Sequence, residues 1–150
     1  MSAFTQYWTN VSWSLNNKNE GQPLDHSAGN SFSKRGVRRE DKVYVVTVLR
    51  GKLFLAGRMI VDRITTQSQA QQVLGTTNLW RANEHILSDH GTISHFKRKV
   101  AEGIVRRLQF GDGKPLVFKK AGVLDQQTLR GVRRLTPQSA DLLDQLLNTP

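Results

Sequence analysis

The chain carries three tryptophans, Trp8, Trp13 and Trp80. In the segment YWTNVSW, residues 7–13, an extended backbone puts Trp8, Asn10 and Ser12 on one side and Tyr7, Thr9, Val11 and Trp13 on the other. An indole stacks on a base, an amide both donates and accepts, and a hydroxyl adapts to either role. Trp8, Asn10, Ser12 and Trp80 are therefore the candidate ligand-binding residues, and the ligand chemistry they suit is a single-stranded or flipped base. The competing reading places the same indoles in a core, where aromatic side chains commonly reside.

Charge points to the same class of partner. Lys and Arg number 22 against 12 acidic residues, a net charge of +10. The excess is concentrated in residues 34–63, with nine bases and three acids, and in residues 97–120, with eight bases and two acids. Two such blocks converging on one face attract polyanions by Coulomb steering and counterion release. Lys34, Arg35, Arg38 and Arg39, expected beside the mouth of the base pocket, and Lys97, Arg98 and Lys99 are the candidate contacts to a nucleic-acid backbone.

Other chemistries lack their residues. There is no cysteine, hence no disulfide framework and no thiolate zinc site. His85, His90 and His95 are spaced by five, which shares a face on neither helix nor strand, so no metal is expected. The acids are too scattered for a metal-dependent nuclease. FGDGKP lacks the setting of a phosphate loop, and no serine sits in a nucleophile elbow. No catalytic residue and no cofactor is assigned, and the chain reads as a binding module rather than an enzyme. The start MSAFTQYWTN lacks the features of a secretory signal, and no apolar run approaches the roughly 18–20 residues of a membrane helix. A cytoplasmic location and no membrane partner are expected.

The elements that must position these residues read as α+β, mainly β, in one domain spanning residues 1–150. Strands are expected at 7–13, at Lys42 to Leu49, and at Leu53 to Ile64 with a bulge or bend near Gly57. Arg50-Gly51-Lys52 is the hairpin turn between the last two. Residues 15–34 read as a long loop. A helix is expected at 66–74, ending before Gly75, and short strands at 84–88 and 116–118, with a longer one at 100–110, where Ala101 and Glu102 also admit a helix. Asp125 caps a first C-terminal helix and Thr136, with Pro137 following, a second. In that last helix Leu142, Leu143, Leu146 and Leu147 make an apolar stripe, with Leu142 and Leu146 expected to face the sheet.

YWTNVSW, GVRREDKVYVV and GKLFLAGRMIV together resemble the PUA superfamily, nearest to its EVE and YTH-like branch, over roughly residues 7–64. Tyr7 and Trp8 match the opening aromatic pair, Ser12 the hydroxyl residue ending the first strand, Gly36, Val37 and Arg38 the turn, and Asp41 the acid before the apolar strand. Val11-Ser12-Trp13-Ser14 and Glu40-Asp41 depart from that pattern. The resemblance implies a five- or six-stranded curled sheet or barrel with flanking helices that holds a modified or flipped base in an aromatic pocket. DNA and RNA both remain open as partners, as does a separate effector protein. The alternative function is a small ASCH-like hydrolase acting on modified nucleosides.

Overall fold

The computed structural model describes residues 1–9, 24–88 and 93–149, for 93–97 the backbone only. It is α+β and mainly β. The centre is a five-stranded sheet of β1 (Ala3–Tyr7), β3 (Lys42–Leu49), β4 (Lys52–Ile60), β7 (Ile93–Lys99) and β10 (Val132–Leu135), in the order β10-β1-β3-β4-β7. β1 runs parallel to β3, and the other neighbours are antiparallel. A second sheet orders β2 (His26–Gly29), β6 (Glu84–Leu87) and β5 (Arg63–Thr65), and β8 (Phe118–Lys120) pairs with β9 (Val123–Leu124). Among the described residues the central sheet ends at β10 and β7 without closing.

The nearly continuous run of β formers KVYVVTVL is explained by β3 being covered on both faces. Tyr44, Val46 and Val48 enter one core with Leu53, Leu55, Leu135 and the C-terminal helix. Val43 and Val45 enter the other with Phe4, Phe32, Met59 and Ile86. The hairpin forms where expected: Arg50 and Gly51 both take positive φ, 51° and 74°, as the favoured two-residue turns require. The bend near Gly57 is also present. Val45 faces Gly57 and Val46 faces Leu55, so Ala56 is the extra residue of a bulge.

Helix α1 (Gln67–Leu74) starts at the Thr66 cap and stops at Gly75 in the left-handed conformation. Asp125 caps a 3₁₀ turn (Gln126–Leu129), and Thr136 caps the C-terminal helix Pro137–Leu147. Between β7 and β8 lies a single helical turn, α2 (Glu102–Val105), and the C-terminal helix is α3.

Four expectations are corrected. The first strand, β1, is Ala3–Tyr7, because the partners for its backbone, β3 and β10, flank those residues; it meets the expected strand 7–13 only at Tyr7, and residues 10–13 lie outside the described residues. Of the expected loop 15–34, residues 15–23 lie outside the described residues, and the rest contains β2, whose HSAG sequence lacks β-branched residues and is held by pairing with β6. Residues 100–110 form α2 and turns instead of a strand: Ile104, Val105 and Leu108 follow helical spacing, and Val105 and Leu108 are buried. Leu143 and Leu147 are the fully buried leucines of α3, with Leu142 and Leu146 at the margin of the core. The short strand expected at 84–88 is present as β6, Glu84–Leu87, whereas the one expected at 116–118 starts only at Phe118.

Candidate functional site

The cleft sits where β1 ends. The Trp8 backbone N–H donates to the Val46 carbonyl at 2.8 Å, and the Trp8 carbonyl accepts from Thr47 Oγ1 at 2.7 Å. Both bonds fix the residue just past the last parallel pair of the sheet. The indole Nε1–H donates to Ser27 Oγ at 3.1 Å. Ser27 in turn donates to Gln6 Oε1, and Gln6 Nε2 donates to the Ala28 carbonyl at 2.8 Å. The chain Trp8–Ser27–Gln6–Ala28 locks β1 against β2. A polar network of this kind, with each of these donors paired, rigidifies the place it occupies.

Trp80 approaches from the connection between α1 and β6 and is 48% exposed. Its segment is held from both sides. The Ala82 N–H donates to Gln67 Oε1 at 3.1 Å, and the Asn83 N–H donates to Asn30 Oδ1 at 2.9 Å. His85, fully buried, places Nε2 against the same Gln67 oxygen. Burial pushes the His85 pKa down, and nearby His26 adds to the effect, so the ring is neutral and serves as a support.

Trp8 and Trp80 line one cleft of about 220 Å³, together with Gln6, His26, Asn30 and Arg81. That volume lies below the ~300 Å³ where pockets for drug-sized ligands begin, and it suits a single planar ring. Trp8 is half-buried and also packs against the core around Phe4, whereas Trp80 has no such second role. Trp8 thus answers to both sequence readings at once: core on one side, cleft wall on the other. Asn10 and Ser12 lie outside the described residues. Among the described residues, the polar side chains at the cleft include Gln6, Ser27, His26, Asn30 and Arg81.

The cations are distributed differently from the expectation that Lys34, Arg35, Arg38 and Arg39 border the cleft mouth. The cation lining the cleft is Arg81. Lys34 is exposed in the β2–β3 connection, and Arg35 lines a neighbouring cleft with Arg133 and Arg134. The Arg38 N–H donates to Asp41 Oδ2, while Asp41 Oδ1 accepts from Ser2 N, both at 2.8 Å. Arg38 and Arg39 are thereby held at the start of β1, the end opposite Trp8. In the second block the Lys97 side chain lies outside the description. Arg98 donates from Nη2 to the Thr149 carbonyl at 2.8 Å, and Lys99 lines a cavity of about 400 Å³ with Phe118 and Leu124. This block belongs to β7, the edge of the sheet far from β10. The blocks nonetheless meet where β4 pairs with β7, and Lys52 lines the same cavity as Lys99.

The site residues that sequence reading missed are Gln6, Ser27, His26 and Arg81. Ser27 and His26 sit in a strand with no strand signature. Arg81 had a visible signal, a cation adjacent to Trp80 in a polar segment. Among the described residues no group of three or more His, Cys, Asp or Glu side chains could hold a metal ion, and no helix is long and apolar enough to cross a membrane.

One backbone position tests the cleft's construction. A Cβ on Gly29 would lie 2.8 and 2.9 Å from two ring atoms of Phe32, which is fully buried and unable to retreat. Gly29→Ala is expected to cost about 1–3 kcal/mol through overpacking. Denaturant unfolding measures this, and a variant as stable as the parent would show that the Phe32 ring yields freely.

Comparison with family models, with curated proteins and with solved structures finds no match.

Proposed function

We propose that this chain is a nucleic-acid-binding module that takes one unstacked or flipped base, modified or unmodified, between Trp8 and Trp80. The observation that carries the reading is the meeting of these two indoles, distant in sequence, around one ring-sized cleft that also presents Arg81. Stacking holds any base by its π-face, and a guanidinium beside it serves either the base edge or a phosphate. The net charge of +10 supplies the long-range attraction for a polyanion. The PUA-like, EVE/YTH-like architecture belongs to the same proposal. What supports it is the bulge at Ala56, a device that curls a sheet.

The test measures binding of labelled single-stranded DNA and RNA by fluorescence anisotropy over a range of salt concentrations, together with melting curves. Affinity is expected to fall linearly in log–log form with salt. Trp80→Ala is expected to leave stability within about 0.5 kcal/mol of the parent, as for an ordinary surface change. Its affinity is expected to drop by about 1–3 kcal/mol per stacked base. Trp8→Ala is expected to lose both affinity and stability, because its indole also packs on the core and donates to Ser27. A Trp80→Ala protein that binds like the parent, or a parent that binds neither nucleic acid, would overturn the reading.

A further inference from the structure

We propose that a nucleic-acid strand leaving the Trp8–Trp80 cleft runs along the β1–β10 edge to a phosphate-binding cleft built by Arg35, Arg133 and Arg134. The proposal rests on the base-binding reading of the first cleft and adds the path and the second contact.

The alternation of β1 sets the direction and distance from one cleft to the other. Phe4, Gln6 and Trp8 share one face of the strand. In the antiparallel register Phe4 faces Arg134 and Gln6 faces Val132, so Arg134 and Val132 rise on that same face. The Arg134 guanidinium accordingly lies 4.9 Å from the Phe4 ring centroid. From Trp8 to Phe4 the strand covers ~13 Å at ~3.3 Å per residue. That is about four steps of a stacked strand at ~3.4 Å, and fewer if the bases are splayed. Phe4, Gln6 and Val132 are buried beneath the β2–β3 connection through Phe32 and Val37, so the strand passes outside that cover, where the connection carries exposed Arg35 beside exposed Arg134.

The second cleft measures about 250 Å³ and includes Phe110, Gly111 and Asp112 beside the three arginines. Its cations are held by neutral groups. Arg133 stacks at 3.6 Å on the Phe110 ring and donates from Nη1 to the Thr128 carbonyl at 2.9 Å. Arg134 donates from Nη1 to Ser2 Oγ at 2.8 Å. Among the described residues none of the three pairs with a carboxylate. Asp112 directs Oδ1 to the Lys114 N–H at 2.9 Å. Lys42 and Arg58, by contrast, both pair with Asp144.

Two glycines shape the Arg134 slot. A Cβ on Gly36 would stand 3.1 Å from Arg134 Nη2, and one on Gly111 would stand 3.0 Å from its Cδ. A guanidinium fixed in advance with its charge uncompensated presents its fork to a phosphate at reduced entropic cost.

The experiment compares the parent, the double variant Arg35→Gln/Arg134→Gln, and Trp80→Ala. Tryptophan quenching by thymidine reads the first cleft alone. Anisotropy with thymidine oligomers of increasing length, at several salt concentrations, reads the path. The double variant is expected to bind thymidine as the parent does. Its gain in affinity with length should shrink roughly tenfold, and its salt slope by about 1.4 for two lost contacts to a single strand. Melting curves accompany each protein. If Arg134→Gln unfolds the chain, Arg35→Gln alone, at an exposed position, is expected to lower the slope by about 0.7. An unchanged length gain and slope would overturn the path and leave the base cleft standing. Loss in the arginine variant beside parent-like binding by Trp80→Ala would overturn the base cleft and leave the phosphate site standing.

Discussion

Replacing Asp144 by Ala is expected to destabilise the fold by about 3–5 kcal/mol, the loss typical when one partner of a buried ion pair is removed. Asp144 lies on α3 and accepts from Lys42 Nζ at 2.7 Å, Tyr44 Oη at 2.6 Å and Arg58 Nη1 at 2.9 Å. The Lys42, Arg58 and Asp144 side chains are 25%, 14% and 16% exposed. Without the carboxylate, two mostly buried cations face each other with their shared acceptor gone. The Tyr44 hydroxyl keeps only its longer bond, to the Ala140 carbonyl at 3.2 Å.

The pH dependence has a definite sign. Burial alone would raise the Asp144 pKa, but the hydrogen bonds from Lys42, Tyr44 and Arg58 outweigh it and hold the carboxyl below its ordinary value. The stabilisation is therefore complete above the unfolded carboxylate pKa of about 3.9 and is lost as pH falls through the lower folded value. Denaturant unfolding of the parent and of Asp144→Asn, near neutrality and in acid, measures this. The parent should lose more stability on acidification than the variant, and parallel curves would show that the carboxylate contributes nothing.

Leu143→Ala is expected to cost about 2–5 kcal/mol, and Leu142→Ala clearly less. Leu143 is fully buried and Leu147 nearly so, in the core that contains Tyr44 and Leu135, whereas Leu142 is partly exposed. The rotation of α3 about its axis decides between the neighbours. Ala140, Leu143, Asp144 and Leu147 recur at one-turn spacing and form the face turned to the sheet. The Asp144 contacts to β3 and β4 and the Tyr44 bond to Ala140 pin that face. Unfolding midpoints of the two alanine variants measure the difference, and equal losses would mean that the helix packs without a preferred face.

Much of the local structure was legible in the sequence because local chemistry dictates it. Thr66 and Gly75 bound α1, Thr136 and Pro137 start α3, and Arg50-Gly51 turns the hairpin through φ angles that side chains and backbone set within a few residues. The sequence of β3 announced a strand, since KVYVVTVL is nearly continuous in β formers, and its apolar side chains on both faces need cover. Trp8 and Trp80 were legible as chemistry for the same reason: an indole's stacking capacity is a property of the residue. Tertiary structure decided everything that rests on partners remote in the chain. β1 became Ala3–Tyr7 because β3 and β10 supply its hydrogen bonds, and HSAG became β2 because β6 does. The α3 face was set by ion pairs reaching to Lys42 and Arg58, beyond any helical periodicity. Arg81 joined the tryptophans, and Arg35 joined Arg133 and Arg134, while Arg38 and Lys99 went elsewhere. Residue type sets what a side chain can do, but its neighbours follow from strand order and register, which non-local backbone pairing and core burial select together.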